Sequence, residues 1–217
     1  MWVYNTGSKC YAAVYNNFFK LIYTIKCMTH FLIKKSYLST IFFALSVLVL
    51  SGCAAPARID QMAVSGNPAQ RIAQTPLRNN LAIKDVTGGN ETNPMWKSNV
   101  SSSDFEKALE SSLQATGLLA QRQSGKYLLT AHMERLDQPF IGLDMTVTAS
   151  VKYIVSERAT GKEVLSKTVS IPYTAKLGDS LLGVERLKLA NEGAVRVNIT
   201  ELMNELFRLK IESVSVN

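Results

Sequence analysis

The sequence predicts an α+β fold. It is a two-layer domain, mainly an antiparallel sheet, with two helices on one face in the order β-α-β-β-β-α. Three observations predict it. Met145–Val155 alternates strictly, with Met145, Val147, Ala149, Val151, Tyr153 and Val155 facing one way and Thr146, Thr148, Ser150 and Lys152 the other. Thr160-Gly161 makes a turn and Glu163–Tyr173 returns, so two long strands form a hairpin with one wet face. Val195, Ile199, Leu202, Leu206 and Leu209 then recur at 4-3-4-3 spacing, a stripe suited to lying across a sheet.

The remaining elements follow in order. Leu81–Val86 alternates apolar and polar residues and reads as a strand ended by Gly88-Gly89-Asn90. Residues 91–102 read as a loop carrying Pro94 and Trp96. Ser103 precedes Glu106 at capping-box spacing, Phe105, Ala108, Leu109 and Leu113 follow at helical spacing, and Gly117 stops the helix. Tyr127–Leu136 alternates again, with Tyr127, Leu129, Ala131 and Met133 on one face. The final helix is expected over Ser180–Ile211, started by Gly178-Asp179-Ser180, with Gly193 as a kink or a point of close packing. About 135 residues suffice for one core.

Charge is distributed unevenly. The chain carries 24 Lys+Arg and 17 Asp+Glu among 217 residues, a formal +7. Residues 1–52 hold five lysines (Lys9, Lys20, Lys26, Lys34 and Lys35) and no Asp, Glu or Arg; the rest has 19 basic and 17 acidic residues. That near-neutral remainder argues against nucleic acid as a partner. Cys10, Cys27 and Cys53 are too few, and too early, for a disulfide scaffold.

The N-terminal segment has its own logic. Residues 38–50, LSTIFFALSVLVL, form an apolar run of about 13 residues, short of the roughly 20 that span a bilayer. Lys34 and Lys35 precede it, and Ser51, Gly52 and Cys53 follow, the layout of a secretory signal peptide. Leu50-Ser51-Gly52-Cys53 resembles the bacterial lipobox, which implies cleavage before Cys53, a diacylglycerol on its thiol and an N-acyl chain on its new amino group. No other cofactor is expected. Two or more acyl chains anchor stably where one does not. Ala54, rather than Asp, follows the cysteine; by resemblance to the enterobacterial sorting rule this implies the outer membrane, periplasmic face. Met28 opens a leader of conventional length, so residues 1–27 are expected to be an over-extended start and 28–52 the signal peptide. Residues 53–80, with Pro56, Pro68 and Pro76 and few clustered apolar residues, are expected to be a flexible tether spanning roughly 25–30 Å. The folded domain is expected over 81–217.

Catalytic chemistry is sparse. His132 is the one histidine after the leader; alternation places it with Leu128, Thr130 and Glu134 on the polar face, without a nucleophile motif. One histidine and a lipidated cysteine do not make a usual metal site. Asn90, Asn99 and Asn198 open glycosylation-like triplets that read as chance matches in a bacterial lipoprotein. The protein is expected not to be an enzyme. Two interaction candidates remain. Trp96 is either an interface anchor or a cap folded onto the core. Asp137–Asp144, DQPFIGLD, either exposes Phe140 and Ile141 as an apolar patch for lipid or a partner, or carries a bulge at Gly142 that makes them structural.

Together the lipobox at Leu50–Cys53, the proline-bearing segment, Phe105–Leu113 followed by a glycine, the strand opening at Tyr127 and the Thr160-Gly161-Lys162 turn resemble the small proteobacterial outer-membrane lipoproteins. These include the YajG type, the auxiliary lipoproteins of ABC-type lipid transporters and the LPS-assembly lipoprotein. The resemblance covers about residues 53–211 and carries no binding residue across. It implies a non-enzymatic accessory or adaptor, held on the membrane by its lipid and binding an envelope protein or lipid. The alternative is a lipid or glycan carrier with a pocket between helices and sheet, beneath Val195–Leu209.

Overall fold

A four-stranded mixed sheet carries the domain. The computed structural model describes residues 54–93, 97–120 and 124–210. Its elements are α1 (Ile59–Met62), α2 (Pro68–Ile72), β1 (Leu81–Thr87), α3 (Ser102–Thr116), β2 (Tyr127–Asp137), β3 (Met145–Glu157), β4 (Glu163–Ala175) and α4 (Gly183–Arg208). From β1 onward this is the expected β-α-β-β-β-α order.

The strands lie in the order β1-β2-β3-β4. β1 and β2 are parallel, Leu81 opposite Tyr127, because α3 intervenes as a crossover. β2–β3 and β3–β4 are antiparallel, with Tyr127 opposite Glu157 and Met145 opposite Ala175. The alternation in β3 holds: Val147, Ala149, Val151, Tyr153 and Val155 are buried, while Thr146 and Lys152 are exposed. In β2 the register shifts between Met133 and Arg135. Strict alternation would turn Arg135 inward; the shift instead packs Leu136 against the core and leaves Glu134 and Arg135 in solvent.

Helices α3 and α4 share one face of the sheet. Phe105, Leu109 and Leu113 from α3 join Val195, Ile199, Leu202 and Leu206 from α4 in one cluster with Leu129, Val151 and Tyr153. Asn198 crosses this interface: the Tyr153 hydroxyl donates to its Oδ1 at 2.8 Å, and its Nδ2 donates to the carbonyls of Ala149 and Val169 at 2.8 and 2.9 Å. Burial raises the Tyr153 phenol pKa, which keeps it protonated as that donor. Gly193 settles as a close-packing residue. A Cβ there would stand 2.1 Å from the Tyr173 ring.

Two local expectations are corrected. The N-cap of α3 is Ser101, whose hydroxyl accepts from Asp104 N at 3.1 Å, not Ser103. Three consecutive serines make the starting register ambiguous in the sequence; Ser102 instead accepts from Gly89 N. Gly117, at φ 73°, closes that helix as expected. Helix α4 begins at Gly183 rather than Ser180, and its N-cap Leu182 supplies no side-chain hydrogen bond. Asp179 is spent on a turn, accepting from Lys176 N at 2.7 Å.

Residues 54–80 are the largest departure. Rather than hanging free, this segment straps across the helices. Met62 and Leu77 are fully buried, and Ile59 and Val64 pack on the same core. Arg58 grips Glu192 of α4 with its backbone N at 2.9 Å, Nε at 3.0 Å and Nη2 at 3.1 Å. The Val64 amide donates to Ser112 Oγ of α3 at 2.9 Å. The segment's apolar residues have no period, so composition reads it as unfolded; each fills a separate position over the helices instead. No helix among the described residues is long and apolar enough to cross a membrane.

Candidate functional site

At one end of the sheet two connections meet. Met145 pairs with Ala175, so residues 138–144 and 176–182 emerge side by side. Leu177 N donates to Asp144 Oδ1 at 3.0 Å, tying one connection to the other. Beneath both lies Arg186, from the first turn of α4 and only 5 % exposed. Its Nη1 donates to Ser180 O and its Nη2 to Gly142 O at 3.1 Å, while Nε has no partner among the described residues. Among the described residues, no ion pair involves Arg186. Two loop carbonyls thus receive the guanidinium in place of a carboxylate.

Above this brace the side chains are apolar. Phe140, Ile141, Leu143, Leu177, Leu181 and Leu182 are exposed, from 39 % at Leu177 to full exposure at Phe140. They are all the exposed large hydrophobics among the described residues. Isolated exposed hydrophobic residues are ordinary, but six on two adjacent connections form a patch. The strand ladder settles the DQPFIGLD alternatives: β2 ends at Asp137 and β3 starts at Met145, so the segment between is a connection and no continuous strand carries a bulge there. Leu181 and Leu182 escaped the sequence reading because they were absorbed into the expected helix; the SLLG run between a strand and a helical stripe is the signal that marks them.

The start of the described chain lies near the base of this end. Ser98 Oγ donates to Ala55 O at 2.8 Å. Ser98 O in turn accepts from Gln138 Nε2 at 3.0 Å and from Asn191 Nδ2 at 2.9 Å, and Gln138 Nε2 also donates to Asn191 Oδ1 at 2.7 Å. Ala54 itself is buried. Two hydrogen bonds therefore link the second residue after Cys53 to Gln138, where the loop carrying Phe140 begins.

The other sequence candidates are placed as follows. Leu50, Ser51, Gly52, Cys53 and Trp96 lie outside the described residues. His132 is exposed on the open sheet face, its Nδ1 meeting Thr87 Oγ1 at 2.8 Å across the β1–β2 pair. Among the described residues no group of three His, Cys, Asp or Glu is placed to hold a metal ion. Asn198, the last of the triplets, is fully buried and its amide is occupied. Beneath the α4 stripe the space is filled by the protein, since Val195, Ile199, Leu202 and Leu206 are at most 1 % exposed. Cavities among the described residues lie elsewhere: one of about 670 Å³ beside Pro56, Ile59 and Ala63, one of about 390 Å³ beside Asn79, Glu110 and Gln114, and one of about 250 Å³ beside Tyr173, Glu192 and Arg196.

Fold and surface together define a class: a small α+β domain with one face of its sheet clad by helices, the other open, and an apolar end. No family model and no curated protein matches the chain. Among solved structures it is similar to protein XCC0632 from Xanthomonas campestris, of the family DUF330. The TM-score is 0.53 at 14% identity, over 71% of this chain and 95% of that one. Fainter likenesses are to PelC from Paraburkholderia phytofirmans (TM-score 0.43, 16% identity, 59% and 87% covered) and to a minor lipoprotein from Acinetobacter baumannii (TM-score 0.41, 9% identity, 61% and 94% covered). At such identities the likeness to the Xanthomonas protein is one of fold.

Proposed function

We propose that this protein is a lipoprotein of the outer membrane, acylated on Cys53 and facing the periplasm. In this reading it serves as a non-enzymatic accessory or adaptor in envelope assembly or lipid transport. One observation carries it. The chain divides into two units between Gly52 and Cys53, so the folded unit begins at the residue that LSGC would make the mature N-terminus. A signal anchor with an incidental cysteine gives no reason for that coincidence. Ala54 after the cysteine supports the outer membrane. For a protein partner the domain offers β4, which ends the sheet order and pairs only with β3, as an edge for strand addition. The carrier reading loses its support, because the apolar space it needs beneath α4 is occupied by Val195, Ile199, Leu202 and Leu206.

The test is fractionation and crosslinked purification of the full chain from native membranes, against Cys53→Ala. The wild type is expected in the outer-membrane fraction, with an N-terminal peptide whose mass carries the diacylglycerol and the N-acyl chain, and with an envelope protein crosslinked to it. Cys53→Ala is expected to keep its uncleaved leader and lose both. A Cys53→Ala protein that is cleaved, fractionates and crosslinks like the wild type would sink the proposal.

A further inference from the structure

Resting on the lipoprotein reading, we propose that the apolar end, residues 138–144 and 176–182, lies in the surface of the same bilayer that holds the acyl chains of Cys53. The domain would then sit on the membrane rather than stand off from it.

The occupant is chosen by the position of the anchor. A flexible tether would let the domain face any direction. The structure removes that freedom, because Ala54 is buried, Ala55 is bonded to Ser98 and Arg58 is locked on Glu192. Cys53 is one peptide bond before Ala54, so the acyl chains it would carry attach next to a residue the fold holds. Ser98 in turn holds Gln138, at the base of the Phe140 loop. Along α4, the eight steps of rise from Gly183 to Asn191 separate the apolar end from the Ser98 contact by about 12 Å. A bilayer that receives the acyl chains therefore lies within reach of Phe140 and Ile141 without unfolding any described element.

The chemistry of the end fits that occupant. An apolar phase penalises unpaired polar groups. Here Asp144 and Asp179 accept from the amides of Leu177 and Lys176, and Arg186 donates to Ser180 O and Gly142 O, while Gln138 Oε1 and Arg186 Nε, without a partner among the described residues, are buried beneath the apolar side chains. The charged groups on these connections and beneath them are Asp144, Asp179, Lys176 and Arg186, which sum to zero. Attachment would therefore come from apolar burial and not from attraction to anionic headgroups.

The test uses the full, processed lipoprotein in vesicles of phosphatidylethanolamine and phosphatidylglycerol. Once the leader is removed, Cys53 is the only cysteine and it is acylated, so an introduced thiol is labelled alone. A fluorophore is placed by Ile141→Cys. Thr160→Cys, at the far turn of the β3–β4 hairpin roughly 40 Å away, is the control. Brominated acyl chains are expected to quench the first label at least threefold more than the second, with no change when the anionic lipid is halved. Equal quenching overturns the proposal. So does a disulfide that forms between two unlabelled Ile141→Cys chains under an added oxidant, in detergent as well as in vesicles, since the end would then meet a second copy. Acyl chains found on Cys53 by mass, together with equal quenching, would overturn this inference alone. An unacylated Cys53 would overturn the lipoprotein reading with it.

Discussion

Asn198 illustrates how much one side chain decides. Its amide accepts from Tyr153 and donates to two strand carbonyls, so it sets the distance between α4 and the sheet. Asn198→Ala should destabilise the domain by about 1–3 kcal/mol, because it leaves the buried phenol without a partner. Adding Tyr153→Phe should recover part of that loss, measured as a double-mutant cycle in urea. Equal, additive losses would mean the two side chains are not coupled. Glu205 makes a second point. Lys167 Nζ lies 2.9 Å from its Oε1, and that hydrogen bond first, with the Lys167 and Arg208 charges behind it, holds the Glu205 carboxyl below the ordinary carboxylate pKa. A depressed folded pKa stabilises above the unfolded value and is lost as pH falls through the folded one. Glu205→Gln should therefore lower Tm at neutral pH, and the gap to wild type should close below about pH 4. A gap constant with pH would contradict this. Of such roles the sequence displayed little: Asn198 read as part of a chance triplet, since nothing local says that strands 49 and 29 residues away will supply its partners.

At the scale of elements, Gly193 is the instructive position. Within α4 a glycine costs about 1 kcal/mol against alanine. Here it admits the Tyr173 ring, to which a Cβ would come within 2.1 Å. Gly193→Ala should therefore destabilise despite the better helix propensity, by about 1–3 kcal/mol from overpacking. In a Tyr173→Ala background the same change should be neutral or stabilising by thermal melt. A stabilised single variant would show that the ring moves aside freely. Elements with a strict period were legible: β3, the β3–β4 hairpin and the apolar stripe of α4 stand where alternation and spacing put them. Their ends were not. Ser101 rather than Ser103 caps α3, and α4 starts after Leu181-Leu182, because neighbouring serines and leucines fit several registers equally well until the sheet fixes which residues face it.

For the molecule as a whole, the strap of residues 54–80 changes what the protein can do. A tether would leave the folded domain free of the residues before it; a strap holds residues 54–80 onto the helices. Met62 is the direct probe. If the strap is part of the core, Met62→Ala should cost about 2–5 kcal/mol in the denaturant midpoint. If it were a loose tether, the change should stay within about 0.5 kcal/mol.

What the sequence determined by itself was whatever is written in short range. Alternation and helical spacing set the order of strands and helices. The charge and hydropathy of residues 1–53 set the lipoprotein expectation, because a leader is read as an unfolded segment and needs no fold. The tertiary structure decided the rest. It decided that an aperiodic, proline-bearing segment packs, because Ile59, Met62, Val64 and Leu77 find separate places over helices that lie far ahead in the chain. It also gathered Phe140, Ile141 and Leu143 with Leu177, Leu181 and Leu182, because pairing Met145 with Ala175 brings together two connections more than thirty residues apart. A surface of that kind belongs to no segment and exists only once the hairpin has closed.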